Sequence, residues 1–149
     1  MLVGEICNRE VVICRPDTSI QDAAKIMRDE HVGDVIVAEE KDAKNIPVGI
    51  LTDRDIVIET LAEDISTSQV AVKDIMSTEL VCADEDDFII ETIKKMKIKG
   101  VRRVPVVNKE RGLEGILTVD DTIELIAEIF KDLVKLYRHE FSHELKTRK

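Results

Sequence analysis

The chain contains an internal repeat, which constrains its fold more than any other feature of the sequence. Residues 3–7 (VGEIC) align with residues 72–76 (VKDIM) at an offset of 69 positions. Later segments follow the same register, with a three-residue change in the loop between them. The later aligned segments are 35–37 with 104–106, before that loop, and 49–52 with 115–118, after it. One chain therefore carries two copies of one folding unit.

Each copy reads as β-α-β-β-α. A first strand is predicted over Val11–Cys14, and over Leu80–Ala83 in the second copy. Ser19, followed three residues later by Asp22, predicts a capped helix that ends before Gly33. Its apolar face is predicted from Ala23, Ala24 and Met27.

Two more strands and a second helix complete the copy. The strands are predicted over Asp34–Ala38 and Pro47–Leu51, and the polar loop Glu39–Asn45 absorbs the length difference. Pro47 and Pro105 suit strand edges. The second helix begins after Thr52, with Ile56, Val57 and Leu61 expected on its buried side.

The repeat sets the expected domain organisation. A unit of about 60 residues buries little surface, so the two copies should share one core. We expect a mixed α/β (α+β) fold with a long C-terminal helix. The expected boundaries are 1–63 for the first repeat, 64–70 for a linker, 71–128 for the second repeat and 129–149 for a C-terminal extension.

Charge and composition narrow the classes of partner. The formal net charge is −9, which argues against broad binding to nucleic acid or to an anionic membrane. No apolar run approaches the ~20 residues of a membrane helix, and the N-terminus lacks a signal-peptide pattern. Cys7, Cys14 and Cys82 lie far apart without CxxC spacing. This indicates reduced thiols in a cytoplasmic protein.

A Gly-x-x-Thr-x-x-Asp motif closes the strand-to-helix step in each repeat. In the first copy, Thr52 is a natural N-cap, and Asp55 in the first turn offers a carboxylate to ribose hydroxyls. Gly49 permits close approach of a ligand, and the new helix N-terminus favours anions. The second copy repeats the motif with Gly115, Thr118 and Asp121. The alternative is that both motifs are plain helix caps.

These motifs resemble those of the CBS-pair family, also called Bateman modules. The resemblance rests on residues 49–55 (GILTDRD), 115–121 (GILTVDD) and 101–107 (VRRVPVV), and covers roughly residues 1–128. Within this family, the chain resembles small stand-alone CBS-pair proteins in particular. The resemblance implies two repeats about a pseudo-two-fold axis and a non-catalytic regulatory role. It also implies an adenosyl ligand (AMP, ADP, ATP or S-adenosylmethionine) and a homodimer.

The resemblance also implies two clefts, each made from both repeats. In the first, Thr52 and Asp55 would face Arg102 and Arg103, which would contact phosphates. The alternative for both arginines is a solvated surface role. The second cleft would join Thr118 and Asp121 to Thr18, Gly33 and Asp34, without a matching arginine. We therefore expect the first cleft to prefer phosphorylated ligands, and the second to be empty or to take a less anionic ligand.

Two details of these clefts also come from the resemblance. Asp87 occupies the position in the second repeat that Thr18 occupies in the first. We expect this departure to weaken phosphate binding in the first cleft slightly. Adenine would lie between apolar strand residues that are core residues first. They are Val12, Ile36, Val81 and Val104.

From Thr122 the chain reads as one long helix with a 3-4 apolar alternation. The alternation is carried by Ile123, Ile126, Phe130, Leu133 and Tyr137. It predicts a dimer contact or a docking arm for an effector protein. The alternative is that the helix packs on its own domain. Residues 146–149 form a basic tail that we expect to be disordered.

His139-Glu140-Phe141-Ser142-His143 matches the zinc-protease motif H-E-x-x-H. Two histidines at i and i+4 share one helix face. Only six residues follow, however, so a third ligand with a substrate cleft cannot form downstream. We expect a solvated helix face, with His139 and His143 kept as candidates for adventitious or interfacial metal.

Three hypotheses follow, in this order. The first is a non-catalytic sensor of an adenosyl ligand that relays occupancy to a partner. The second is a dimerising scaffold with unoccupied clefts that acts through the C-terminal helix. The third is a metal-dependent hydrolase. No P-loop, Ser-His-Asp arrangement or Gly-rich dinucleotide fingerprint favours an enzyme.

Overall fold

A computed structural model describes residues 1–148 of the chain. It divides into two compact units, Met1–Leu117 and Thr118–Lys149, which are described separately below.

The first unit contains both sheets and five of the helices. Its elements in chain order are α1 (Val3–Ile6), β1 (Ile13–Cys14), α2 (Ile20–Asp29), β2 (Asp34–Lys41), β3 (Lys44–Thr52), α3 (Asp53–Ile56), a π-helical turn (Val57–Leu61), α4 (Val72–Ile75), β4 (Ala83–Asp84), α5 (Ile89–Lys99), β5 (Arg103–Val107) and β6 (Leu113–Thr118).

Each repeat forms its own three-stranded sheet, with strands in sequence order β1-β2-β3 and β4-β5-β6. The first pair in each sheet is parallel, with Ile13 opposite Ile36 in one and Ala83 opposite Val106 in the other. Strands β2 and β3 are antiparallel. The mixed α+β fold and the two repeats predicted from the sequence are confirmed.

The two repeats exchange their N-terminal segments. Backbone N–H groups of Val3 and Gly4, in α1, donate to carbonyls of Asp87 and Glu85 in the second repeat, each at 2.9 Å. Reciprocally, the N–H of Val72, in α4, donates to the carbonyl of Thr18 at 2.8 Å. Antiparallel bridges extend the exchange, pairing residue 8 with 116 and residue 77 with 50.

The core of the first repeat is built from both copies. Val72 is fully buried in the same cluster as Ile20, Val35 and Leu51. The shared core expected from the small size of each repeat is therefore present. It depends on the exchange of N-terminal segments between the two repeats of the chain.

The β2–β3 hairpin differs from the sequence-based prediction. Both strands run further than predicted, to Lys41 and from Lys44, so the polar loop expected over Glu39–Asn45 is wrong. Only Asp42 and Ala43 lie between the strands, with φ of 51° and 59°. Two consecutive positive φ angles are typical of the tight turn that matches strand twist.

The second helix of the first repeat also differs. Val57 and Leu61 are 51% and 74% exposed, so their predicted burial is wrong, and Thr60 is the fully buried residue. The cause is the π-helical turn, in which the N–H of Ala62 donates to the carbonyl of Val57, five residues back. The wider turn shifts which side chains face the core. The Thr60 hydroxyl donates to the Ile56 carbonyl.

The first helices of the two repeats end differently. Ser19 caps α2 as predicted, accepting from the N–H of Asp22 at 3.1 Å. The left-handed residue after α2 is His31, with φ of 56°, and not Gly33. The equivalent residue after α5 is Gly100, with φ of 66°. Position 31 thus has the backbone of a glycine C-cap without the glycine.

The second unit is a single helix, α6, over Val119–Thr147. It begins three residues before the predicted start at Thr122 and is 29 residues long. Helix also includes Lys146 and Thr147, where a disordered tail was predicted, and Lys149 lies outside the described residues. Within residues 1–148, no helix is long and apolar enough to cross a bilayer.

One side of α6 exposes large apolar side chains, and we call these nine residues the apolar stripe. Each is between 47% and 69% exposed. They are Ile123, Ile126, Ile129, Phe130, Leu133, Leu136, Tyr137, Phe141 and Leu145.

Candidate functional site

The predicted motif of the first repeat lies at the step from β3 to α3. The hydroxyl of Thr52 accepts from the N–H of Asp55 at 3.1 Å, and Oδ2 of Asp55 accepts from the N–H of Thr52 at 2.9 Å. The two residues thus form a reciprocal capping box. Because a carboxylate has about four lone-pair sites, the cap uses only part of the acceptor capacity of Asp55.

Gly49 and Gly115 lie where the exchanged segments cross the strands. A Cβ on Gly49 would lie 2.6 Å from Sδ of Met76 and 3.0 Å from the carbonyl oxygen of Ser77. A Cβ on Gly115 would lie 2.8 Å from the carbonyl oxygen of Asn8. The close approach expected at these glycines is therefore made by the other repeat's backbone.

A cavity of about 730 Å³ opens along the exchanged segment after Ser77. Its lining combines an apolar edge with charged groups from α5 and the β5–β6 turn. The lining residues are Ser77, Thr78, Glu79, Leu80, Val81, Cys82, Asp84, Lys95, Lys99, Val101 and Arg111. Ser77 pairs with Ile50, two residues before Thr52, so the cavity begins beside the end of β3. We call it the second-repeat cavity.

Its three cations distinguish this cavity in a chain of net charge −9. Nζ of Lys95 donates to the carbonyl of Cys82 at 2.6 Å, and Arg111 lies 3.8 Å from the carboxylate of Asp84. Burial raises the pKa of the Cys82 thiol, although Arg111 and Lys95 act to lower it. Sequence reasoning missed Lys95, Lys99 and Arg111, because none belongs to a recognised motif.

The equivalent cavity of the first repeat is about 640 Å³. Its lining is Asn8, Glu10, Val11, Val12, Ile13, Ile26, Glu30 and Val32, without any lysine or arginine. At the 69-residue offset, Ile26 and Glu30 take the places of Lys95 and Lys99. The repeat alignment itself therefore carries the signal for this difference in charge. We call this the first-repeat cavity.

Arg103 and Asp34 form an ion pair between the repeats. Asp34 was predicted for the second cleft and Arg103 for the first, whereas the structure joins them. Asp34 lies opposite Thr52 in the β2–β3 register, which brings Arg103 towards the end of β3. Arg102 is exposed.

The surroundings of Asp34 are acidic as well as buried. Burial raises the pKa of its carboxyl, Arg103 acts to lower it, and the nearby carboxylate of Asp53 raises it further. The N–H of Asp53 donates to the carbonyl of Gly33 at 2.9 Å, which holds the start of α3 against this strand.

Thr18 lies in the turn before α2. Its hydroxyl accepts from the N–H of Arg15 at 3.1 Å. Asp87 makes the equivalent bond in the second repeat, where its carboxylate accepts from the N–H of Asp84 at 3.0 Å. The residue change predicted to weaken phosphate binding therefore preserves the local turn.

Thr118 and Asp121 begin α6 in the second unit. They repeat the capping box, with the N–H of Thr118 2.8 Å from Oδ2 of Asp121 and the N–H of Asp121 3.1 Å from the Thr118 hydroxyl. Of the four apolar residues expected beside adenine, Val12 and Val81 line the two cavities. Ile36 and Val104 are core residues, at most 1% exposed.

His139 and His143 lie one turn apart on α6. Among the described residues, no group of three or more His, Cys, Asp or Glu side chains is placed to hold a metal ion.

Comparison with known sequences gives one family. A sequence profile of the CBS domain matches residues 3–61 and 72–128. An uncharacterized protein of Methanopyrus kandleri, MK0525, is 34% identical over 137 residues, which cover 89% of this chain and 68% of that protein. The CBS domain-containing protein YhcV of Bacillus subtilis is 33% identical over 119 residues, covering 80% of this chain and 81% of YhcV.

Solved structures show the same architecture. The CBS domain pair of protein MJ0100, in complex with 5′-methylthioadenosine and S-adenosyl-L-methionine, has a TM-score of 0.74 at 27% identity. The match covers 86% of this chain and 97% of that one. CBS domain protein PAE2072 from Pyrobaculum aerophilum, complexed with AMP, has a TM-score of 0.73 at 23% identity and covers 81% of this chain and 89% of its own.

Proposed function

The chain belongs to the CBS-domain family, and on that premise we propose that it is a non-catalytic regulatory module that binds an adenosyl ligand. The candidates are AMP, ADP, ATP and S-adenosylmethionine. The observation that carries the proposal is the second-repeat cavity, which combines an apolar edge with three cations. The ligands of the MJ0100 domain pair, both adenosyl compounds, support it.

The chemistry of the lining suggests how a nucleotide would be held. Leu80, Val81 and Val101 offer an apolar edge to adenine. The carboxylate of Asp55 is proposed to accept from ribose hydroxyls while it caps α3. Lys95, Lys99 and Arg111 of the lining supply positive charge for phosphates, and Arg103 adds to it on the resemblance of its motif. Arg102, Thr52 and Gly49 are kept as site residues on the resemblance of their motifs.

The first-repeat cavity is proposed to take a less anionic adenosyl ligand, since its lining holds two glutamates and no cation. S-adenosylmethionine and 5′-methylthioadenosine fit this charge better than a nucleotide. The ligand roles predicted for Thr18, Gly33, Asp34, Gly115, Thr118 and Asp121 remain proposals from the family resemblance.

Titration calorimetry of nucleotide-stripped protein with AMP, ATP and S-adenosylmethionine tests the proposal. We expect micromolar binding of at least one ligand, and the stoichiometry will report whether one or both cavities are used. Absence of heat from all three ligands at millimolar concentration contradicts the sensor function.

Asp55→Ala, with Asp74→Ala as its matched control, tests the site. Asp74 makes the same capping bond in α4, 3.0 Å from the N–H of Ala71, but lies outside the Gly-x-x-Thr-x-x-Asp motif. Both variants lose a cap, but only Asp55→Ala is expected to weaken binding, by about tenfold for a lost charged hydrogen-bond acceptor. Equal affinities in the two variants contradict the ribose role of Asp55.

We further propose that the protein is cytoplasmic and homodimeric, and that it relays ligand occupancy to an effector protein. A ligand at 100 times its Kd adds about 2.7 kcal/mol to the bound arrangement, enough to shift a finely balanced equilibrium.

The apolar stripe of α6 favours a second function, that of a self-associating scaffold. Nine large side chains, each between 47% and 69% exposed, form an apolar surface of the kind that marks protein–protein interfaces. A second copy of α6 offers the same stripe and is the occupant that we propose.

Leu133→Glu should convert the assembly to monomer in sedimentation velocity, because it places a charge in the middle of the stripe. Ser142→Glu adds the same charge on the polar side and should leave the assembly intact. If both variants sediment as the unmodified protein does, α6 is not the assembly element.

A further inference from the structure

Asp34 and Arg103 occupy equivalent positions in the two repeats. Each is the first residue of its repeat's middle strand, β2 or β5, and they are separated by the repeat offset of 69 residues. Equivalent residues that touch must lie on the axis that relates the repeats. Two aspartates or two arginines there would place like charges in contact. Opposite charges at this position instead allow an ion pair.

The pair is shielded from solvent. The side chain of Asp34 is 17% exposed and that of Arg103 is 29% exposed. Most of the other ion pairs within residues 1–148 join side chains that are more exposed, such as Lys25 with Asp22 at 62% and 60%. The Asp34–Arg103 attraction is therefore less screened by water and salt than those surface pairs.

The guanidinium of Arg103 is thus already engaged before any ligand arrives. Nη1 of Arg103 donates to Oδ1 of Asp34. A phosphate at the end of β3 would need the same planar set of donors. It would also approach two carboxylates, those of Asp34 and Asp53, whose mutual repulsion helps to raise the pKa of Asp34.

We propose that Asp34 is a specificity-determining residue that competes with ligand phosphate for Arg103, and so lowers the preference of the cleft for phosphorylated over unphosphorylated adenosyl ligands. This inference rests on the proposed adenosyl-binding function. An AMP phosphate competes with the Asp34 carboxylate for the Nη1–H of Arg103, whereas adenosine leaves the ion pair intact. The Asp34 carboxylate thus competes with every anionic ligand for Arg103. Arg103 adds to the affinity only of ligands that bind it more strongly than Asp34 does.

The affinities for AMP and adenosine, measured on the full chain by titration calorimetry, test the proposal. Asp34→Asn keeps the size and an acceptor oxygen but removes the charge. It should tighten AMP binding about 3- to 10-fold more than it tightens adenosine binding. Asp132→Asn removes an ion-paired aspartate from α6, outside both cavities, and should change neither ligand.

Arg103→Gln keeps the test valid if Asp34→Asn is poorly folded. It should weaken AMP binding and leave adenosine unchanged. In the Arg103→Gln background, Asp34→Asn should no longer favour AMP, because the group for which they compete is gone.

The outcomes separate this inference from the function on which it rests. Equal shifts for AMP and adenosine in Asp34→Asn, or none, overturn the role of Asp34 while the sensor function stands. If unmodified protein binds neither ligand but Asp34→Asn binds AMP, the inference is supported. If neither the unmodified protein nor Asp34→Asn binds AMP or adenosine, the proposed function and this inference are both overturned.

Discussion

At Gly49, the absence of a side chain lets the exchanged segment of the second repeat lie against β3. A Cβ there would come within 2.6 Å of Sδ of Met76 and 3.0 Å of a backbone oxygen. Gly49→Ala should lower the free energy of unfolding by about 1–3 kcal/mol, as overpacking does elsewhere. Gly33→Ala is the control, because its Cβ meets only the Asp53 carboxylate, at 3.3 Å. Urea denaturation of both variants measures the difference, and equal losses contradict the crowding argument.

Cys14 should make stability depend on pH in the alkaline range. Burial raises the pKa of its thiol from 9.0 to about 11, with Arg15 acting to lower it. Between these values the unfolded chain loses a proton that the folded chain retains, so stability falls as pH rises from 9 to 11.

Comparison with Cys14→Ala isolates this effect. The advantage of the unmodified protein over the variant should shrink by about 1–2 kcal/mol between pH 8 and pH 10.5, measured by urea denaturation under reducing conditions. A difference that stays constant with pH would mean that Cys14 titrates normally in the folded protein.

The helix ends of the two repeats show what can be predicted for single elements. Capping pairs such as Ser19 with Asp22 and Thr52 with Asp55 were predictable, because the residue types and their spacing are enough to form the bonds. The left-handed C-cap at His31 was not predictable. Glycine is the usual residue at such a cap, so the end of the helix was assigned to Gly33, two residues later.

Position 31 and its equivalent, position 100, supply a matched pair of substitutions. Gly100→Ala should cost about 1 kcal/mol, since its φ of 66° is unfavourable for a side chain even in open space. His31→Gly should change stability by less than about 0.5 kcal/mol, because relief of strain offsets the greater entropy of the unfolded chain. Thermal or urea denaturation measures both. A loss at His31→Gly as large as that at Gly100→Ala would indicate that the His31 side chain itself stabilises the fold.

Two elements escaped prediction for other physical reasons. The Asp42-Ala43 turn lacks the glycine that normally marks such hairpins, so its strands were predicted too short. The burial of Thr60 was missed because the apolar periodicity was interpreted with the α-helical spacing, which does not apply in the π-helical turn over 57–61. In the candidate site, the caps were predictable from motifs. The ion pair of Asp34 with Arg103 depends on how the repeats meet, which no local pattern records.

At the scale of the whole molecule, the exchange of N-terminal segments means that the unit of sequence repetition differs from the unit of packing. Val72 lies in the core of the first repeat, beside Ile20 and Leu51. The bridge between Ser77 and Ile50 adds a further strand contact to that repeat. The first repeat is thus completed by residues that the alignment assigns to the second.

Two fragments of nearly equal length can show whether the sequence repeat or the packing unit folds on its own. Residues 1–70 contain the first repeat as the sequence defines it, but lack Val72 and Ser77. Residues 9–77 omit α1, which bonds to the second repeat, and retain α4, which bonds to the first. A domain of about 70 residues is marginal even with a complete core, so the loss of one buried valine and a bridge should be decisive. We expect a cooperative urea transition, followed by circular dichroism, for 9–77 and none for 1–70. The predicted boundary at residue 63 holds instead if fragment 1–70 unfolds as cooperatively as 9–77, since the exchanged segment would then contribute little to the core that it enters.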